Sequence, residues 1–197
     1  METYGFSKMS VRKLDEKKQP DTTAEIYEIK GVPKEGATSS FDLTGLSKEP
    51  VKVFGSNIEY FIVRKGVGSV AANFGILDLP SKVEDKLLGY LAMDEGIVGM
   101  GENTEPPFAA AVVEAEDLYG TPIAFALTCG SFTKDGHSLA TTTDEDFKPE
   151  PGEYVFSAIS RSITMGEKTE NLHVLRAVGK EAVDKLKTVV LGTAGEA

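Results

Sequence analysis

Between residues 69 and 91 the spacing of apolar side chains changes from two residues to about 3.6, and this switch constrains the fold more than any other feature of the sequence. Residues 69–77 alternate as a strand does. From there Leu79, Val83, Leu87 and Leu88 fall on one helical face. Pro80 stands where a missing N–H costs nothing, and Asp78 or Ser81 is expected to cap the helix N-terminus. Ser81 and Glu84 have the spacing of a capping box, Glu84 and Asp85 suit the positive end of the helix dipole, and Gly89 is the expected stop. The pattern predicts a short amphipathic helix over about 79–89, laid against something. Its surroundings have strand patterning, so that something is a sheet.

In chain order, residues 4–13 are expected to form a first strand, with Met9 and Val11 alternating against Ser10 and Arg12. A charged turn over 15–22 leads to a second strand over 23–30, and 31–39 reads as loop. Phe41, Leu43 and Leu46 alternate with polar residues, Pro50 breaks that run, and Val51 and Val53 resume it up to the turn Gly55-Ser56-Asn57. Residues 58–63, IEYFIV, are the densest β-branched and aromatic run. Residues 93–107 are acidic, glycine-rich and end in two prolines, and are expected to be a loop ordered by a partner. A hairpin is expected from 108–116 and 123–129. An acidic loop over 133–152 then leads to one strand over 154–163, and another strand is expected over 172–178. Residues 179–191 place Ala182, Val183, Leu186 and Val190 at helical spacing before Gly192, a C-terminal helix suited to packing on a neighbouring molecule. The total is roughly eight or nine strands and two helices, a mainly β fold with no internal repeat.

Charge and composition narrow the partners. With 31 acidic and 21 basic residues the formal net charge is −10, which argues against a protein that grips nucleic-acid phosphates or docks on an anionic membrane. The single cysteine, Cys129, excludes an internal disulfide framework. No window has the roughly 18 apolar residues of a membrane span, and the first residues lack the apolar core of a signal peptide, so the expectation is a chain made and kept in a reducing cytoplasm.

No residue pattern points to catalysis, a cofactor or a metal. His137 and His173 are the only histidines, and neither has a partner at metal-ligand spacing. Cys129 and His137 form a nucleophile–base pair only if the fold joins them; the plainer reading is a buried cysteine and a histidine in an exposed turn. The clusters Gly66-Val67-Gly68 and Gly96–Gly101 lack the strand–loop–helix context and the lysine of a phosphate-binding loop, and read as turns. The run Thr143-Asp144-Glu145-Asp146 lacks the alternation, central glycine and closing glutamate of a calcium loop.

The order of these features resembles the major tail (tail tube) proteins of long, non-contractile-tailed bacteriophages. The resemblance begins at Tyr4-Gly5-Phe6 and continues through Ser40-Phe41-Asp42-Leu43 and Val53-Phe54-Gly55-Ser56-Asn57. It is strongest at Asn73-Phe74-Gly75-Ile76-Leu77-Asp78-Leu79-Pro80 with the closing Leu87-Leu88-Gly89. The run Phe108 to Val113, the hairpin after it and the Tyr154-to-Arg161 strand fit the same order. The match fades after about Ile163, and the C-terminal helix has no counterpart in it.

The resemblance implies a mainly β, antiparallel sandwich or barrel-like domain over 1–165 with one flanking helix; the residue pattern beyond it adds a C-terminal strand and helical extension over 166–197. It further implies hexameric rings stacked into a tube that carries the genome, working with tape measure, tail tip and tail terminator proteins in the virion tail. Double-stranded DNA would pass transiently and without sequence preference. Its charge density of one per about 1.7 Å makes a negative lumen one in which it slides rather than sticks. The segment over about 36–66 is the candidate stacking hairpin and loop, with 93–107 a second candidate contact. A β-sandwich binding module, such as a capsid decoration or receptor-binding protein, is the competing reading; an enzyme using Cys129 is a third.

Overall fold

The computed structural model describes residues 3–63, 65–139, 141 and 148–192. Its centre is one antiparallel sheet in the order β2 (Ile26–Ile29), β1 (Thr3–Lys13), β9 (Ala109–Asp117), β10 (Pro122–Thr133), β11 (Gly152–Ala158), β6 (Ala71–Leu77) and β3 (Ala37–Thr44). A further strand, β14 (Val174–Val178), also pairs with β10. The sheet curls until its two halves face each other. Phe41 of β3 then meets Phe125 of β10 with ring centroids 6.2 Å apart, and Phe6 of β1 meets Phe41 at 5.9 Å. Where β3 comes round to β1, the Thr38 hydroxyl donates to the Phe6 carbonyl at 2.8 Å instead of a backbone ladder forming. The sheet is therefore barrel-like without being closed, as the expected mainly β, antiparallel class requires.

Alternation along β9 divides the core. Ala109, Ala111 and Val113 point into the curl, where they join Met9, Val11, Phe74, Phe132 and Phe156. Ala110 and Val112 point outward, where they join Ala124, Ala126 and the face of helix α2 (Lys180–Leu191). Both faces of the β1–β9–β10 region are covered, so its first strand buries Ser10 and Arg12 as well as Met9 and Val11. A register shift in β10 between Leu127 and Gly130 exchanges the two faces and carries Cys129 to the α2 side.

Helix α1 (Ser81–Leu88) packs Leu87 and Leu88 into the inner core, with Leu79 and Val83 half-buried beside them. Its stop is as expected. Gly89 lies in the left-handed region at φ 70°, and a Cβ there would lie 2.1 Å from the Glu105 carbonyl oxygen. Its start is not. Pro80 occupies the capping position, and no side chain caps the helix. Asp78 instead accepts a hydrogen bond from the Lys34 backbone N–H at 3.1 Å. Glu84 reaches across to Lys134 and Tyr154, so the capping box does not form.

Helix α2 does not await a neighbouring molecule: it covers the outer face of its own sheet through Val183, Leu186, Val190 and Leu191. Ala182, expected on that face, is exposed, while Gly192 ends the helix with its N–H on the Thr188 carbonyl at 3.0 Å. With no basic residue in its own last turn, α2 has its C-terminal carbonyls held by two buried arginines from elsewhere. Arg12 donates to Leu191 O at 2.8 Å, and Arg161 donates to Val190 O at 3.0 Å. Each places a cation at the negative end of the helix dipole.

Fourteen strands are present among the described residues, more than the eight or nine expected. The region over 154–163 is two strands, not one. The chain bends after Ala158, where the Ile159 N–H donates to Cys129 O, and Arg161 opens β12 (Arg161–Met165), which pairs with β13 (Lys168–Leu172). Residues 31–39 are only partly loop, because β3 starts at Ala37. The stretch over 93–107 contains hairpin structure: β7 (Leu91–Asp94) and β8 (Ile97–Gly99) pair around Glu95-Gly96. A third hairpin is formed by β4 (Val51–Gly55) and β5 (Ile58–Val63).

Candidate assembly surface

The β4–β5 hairpin is built by its turn. Ser56 and Asn57 both adopt positive φ, 51° and 64°, the conformation of a two-residue hairpin turn whose twist matches the flanking strands. Lys52 and Glu59 pair across it at 2.7 Å. Neither strand joins the main sheet. Consequently Val51, Val53, Phe54, Ile58, Tyr60, Phe61, Ile62 and Val63 are all exposed, Tyr60 by 77%. Exposed apolar patches larger than about 300–600 Å² are uncommon on monomers, and the concentration of eight exposed large apolar side chains in one hairpin makes it the candidate interaction surface. The smaller β7–β8 hairpin is similar in kind: Leu91, Met93 and Ile97 are exposed, and so is Met100 just beyond it.

The residues that could carry chemistry are not assembled into a site. Cys129 is buried under α2, and that burial pushes its thiol up, away from the reactive thiolate. His137 lies elsewhere, with Nδ1 3.1 Å from Lys134 Nζ and Nε2 3.8 Å from Glu84. His173 lends its backbone carbonyl to the Thr128 N–H at 3.0 Å. Among the described residues, no group of three His, Cys, Asp or Glu side chains could hold a metal ion, and no helix is long and apolar enough to cross a membrane. The Thr143–Asp146 run lies outside the described residues. Of the glycine clusters, Gly68 donates its N–H to Gly45 O at 2.9 Å, and Gly96 takes φ 71° in the β7–β8 turn.

The one carboxylate that reaches both a lysine and a buried tyrosine among the described residues is structural. Glu84 of α1 binds Lys134 Nζ at 2.7 Å and accepts from the Tyr154 hydroxyl at 3.0 Å, and both partners are largely buried. Burial, followed by the charge and hydrogen bond of Glu84, pushes the Tyr154 phenol above its ordinary range. The arrangement ties α1 to β11 and to the end of β10, and nothing in it faces a substrate.

Sequence reasoning pointed to the 36–66 segment but could not see that its apolar residues stay outside, since a pattern of β-branched and aromatic residues is equally that of a buried strand. The available signal was the Pro50 break and the Arg64-Lys65 pair bracketing the hairpin.

Residues 1–151 match the family described as phage tail tube protein. No curated protein matches the chain. The chain belongs to the phage tail tube protein family: it is a structural component of the virion tail and not an enzyme.

Proposed function

From that membership, we propose that the chain forms hexameric rings that stack into the tail tube, the conduit through which the genome is ejected into the host. The observation that carries this reading is the β4–β5 hairpin, whose eight large apolar side chains are exposed and whose strands pair only with each other among the described residues. In a tube each copy would cover the apolar surface of another, and the open edges of β2 and β3 would gain neighbours on ring closure. Residues 1–165 would be the tube domain, 36–66 its stacking hairpin and loop, and 93–107 a second contact. Residues 166–197 would add β14, which pairs with β10 in the sheet, and α2, which covers the sheet's outer face.

The net charge of −10 supports the conduit role, because a net negative chain repels duplex DNA rather than trapping it. Tape measure, tail tip and tail terminator proteins would be the further partners, with the chain made in the host cytoplasm before assembly.

Negative-stain electron microscopy of concentrated protein tests the reading. Rings of six or tubes are expected. A particle that stays monomeric under all conditions and does not polymerise on a tail-tip seed would overturn it. A capsid-decoration module would instead bind a preformed capsid and never polymerise alone.

A further inference from the structure

The molecule carries two exposed apolar hairpins, and their charges are of opposite sign. The β4–β5 hairpin and its flanks, 48–65, hold Lys48, Lys52, Arg64 and Lys65 against Glu49 and Glu59, a net positive segment in a chain of net −10. Lys52 and Glu59 satisfy each other, while Lys48 and Lys65 make no ion pair among the described residues. The β7–β8 region, 91–102, holds Asp94, Glu95 and Glu102 with no lysine or arginine. None of these three carboxylates is in an ion pair among the described residues either. Beside them stand the exposed Leu91, Met93, Ile97 and Met100, with Met93 71% exposed.

Each hairpin thus offers what the other lacks. The β4–β5 hairpin has rigid aromatic and β-branched side chains bordered by cations. The β7–β8 hairpin has two methionines, which adapt to an irregular apolar surface, bordered by anions. Two β4–β5 hairpins brought together would set Lys48 and Lys65 against their own kind, and two β7–β8 hairpins would set carboxylates against carboxylates. Like charges facing one another oppose self-pairing, so the complementary arrangement joins different patches on two copies, the heterologous contact that builds rings and filaments.

We infer that the β4–β5 hairpin of one copy seats on the β7–β8 hairpin of a second copy, with Lys48 and Lys65 facing Asp94 and Glu95. This rests on the tail tube reading and specifies which surfaces meet. It requires no motion of the main sheet, because both hairpins are insertions that take no part in the main ladder.

The test uses the full chain, whose own thiol is buried at Cys129. A Tyr60→Cys chain and a Met93→Cys chain are mixed under assembly conditions and treated with a short bis-maleimide, and the same preparation is imaged. A covalent dimer from the mixture, and from neither variant alone, is expected. A dimer from Tyr60→Cys alone would mean that like hairpins meet, and would overturn the inference. Tubes without the mixed dimer would overturn the pairing but leave the tube reading standing, and would assign the hairpins to another tail protein or another face. The mixed dimer without rings or tubes would support the pairing and sink the tube. Neither product would sink both. As a second arm, Lys48→Glu with Lys65→Glu should lower assembly at least tenfold at low salt, and Asp94→Lys with Glu95→Lys in the same chain should restore it. Failure of the second pair to restore assembly would count against the pairing.

Discussion

Strands β5 and β9 make an instructive pair. β5, IEYFIV, has the larger and more hydrophobic side chains, yet all six of its residues are exposed. β9 begins with three alanines and two valines, and all five are buried. Residue type therefore does not decide the outcome; position in the topology does. β9 lies between β1 and β10, and its small side chains let α2 approach one face while the curled sheet fills the other. Among the described residues β5 has one ladder partner, β4, and its side chains stay exposed on both faces. Small residues at the centre allow close packing within the molecule, whereas the large ones on the insertion are left exposed in the single chain.

Four substitutions would break or sharpen this contrast. The largest effect is expected from Leu87→Asp, which places an unpaired charge in the inner core. It should cost about 4 kcal/mol or more and leave the chain unfolded by circular dichroism. If that variant folds and assembles normally, α1 is not part of the core. Phe74→Ala empties a position touched by the rings of Phe6, Phe41 and Phe132. A loss of about 3–5 kcal/mol in urea denaturation is expected, and a loss below 1 kcal/mol would mean the ring cluster is loosely packed.

A pH prediction comes next. Tyr154 has its proton held more tightly in the folded state than in the unfolded chain. Its contribution is fully present below the unfolded tyrosine value and is lost as pH rises above it. Stability should thus fall by up to about 1.4 kcal/mol per pH unit above roughly pH 10. Tyr154→Phe should flatten that slope, and an identical slope in the two proteins would show that Tyr154 is not its source. The smallest effect on stability belongs to Phe61→Ser on the hairpin, within about 0.5 kcal/mol by denaturation, although assembly measured by light scattering should fall sharply. A destabilised monomer with normal assembly would reverse the comparison between β5 and β9.

Much of the fold was legible because its signals are local. The β9–β10 hairpin was bounded by Asp117-Leu118-Tyr119-Gly120-Thr121, and the structure has Asp117 accepting the Thr121 N–H at 2.8 Å. Gly89 and Gly192 stop their helices because few other residues adopt their backbone conformation. What was not legible depended on distant partners. Glu84 looked like a capping residue and serves Lys134 instead, 50 residues away. The bend that separates β11 from β12 follows from Ile159 turning under α2 and Arg161 reaching its C-terminus, neither of which has a sequence signature. The 91–99 hairpin is short and its residues lack alternation, so composition alone made it a loop. The candidate surface was located by the segment but not by its exposure, which only the topology decides.

The hydrogen bond from Arg12 to Leu191 joins residues 179 positions apart, and this has a consequence for the order of events during synthesis. A helix of 12 residues is marginal by itself in water, so α2 gains its stability by docking. The helix leaves the ribosome well after its carbonyl anchor, Arg12, does. Until then Ala110, Val112, Ala124 and Ala126 have no cover on their outer face. The outer face of the sheet can therefore be covered only after translation has passed α2, a closure over a far longer stretch of chain than any of the hairpins needs. Nascent chains held on polysomes would therefore lack the finished sheet on which a subunit contact has to be built.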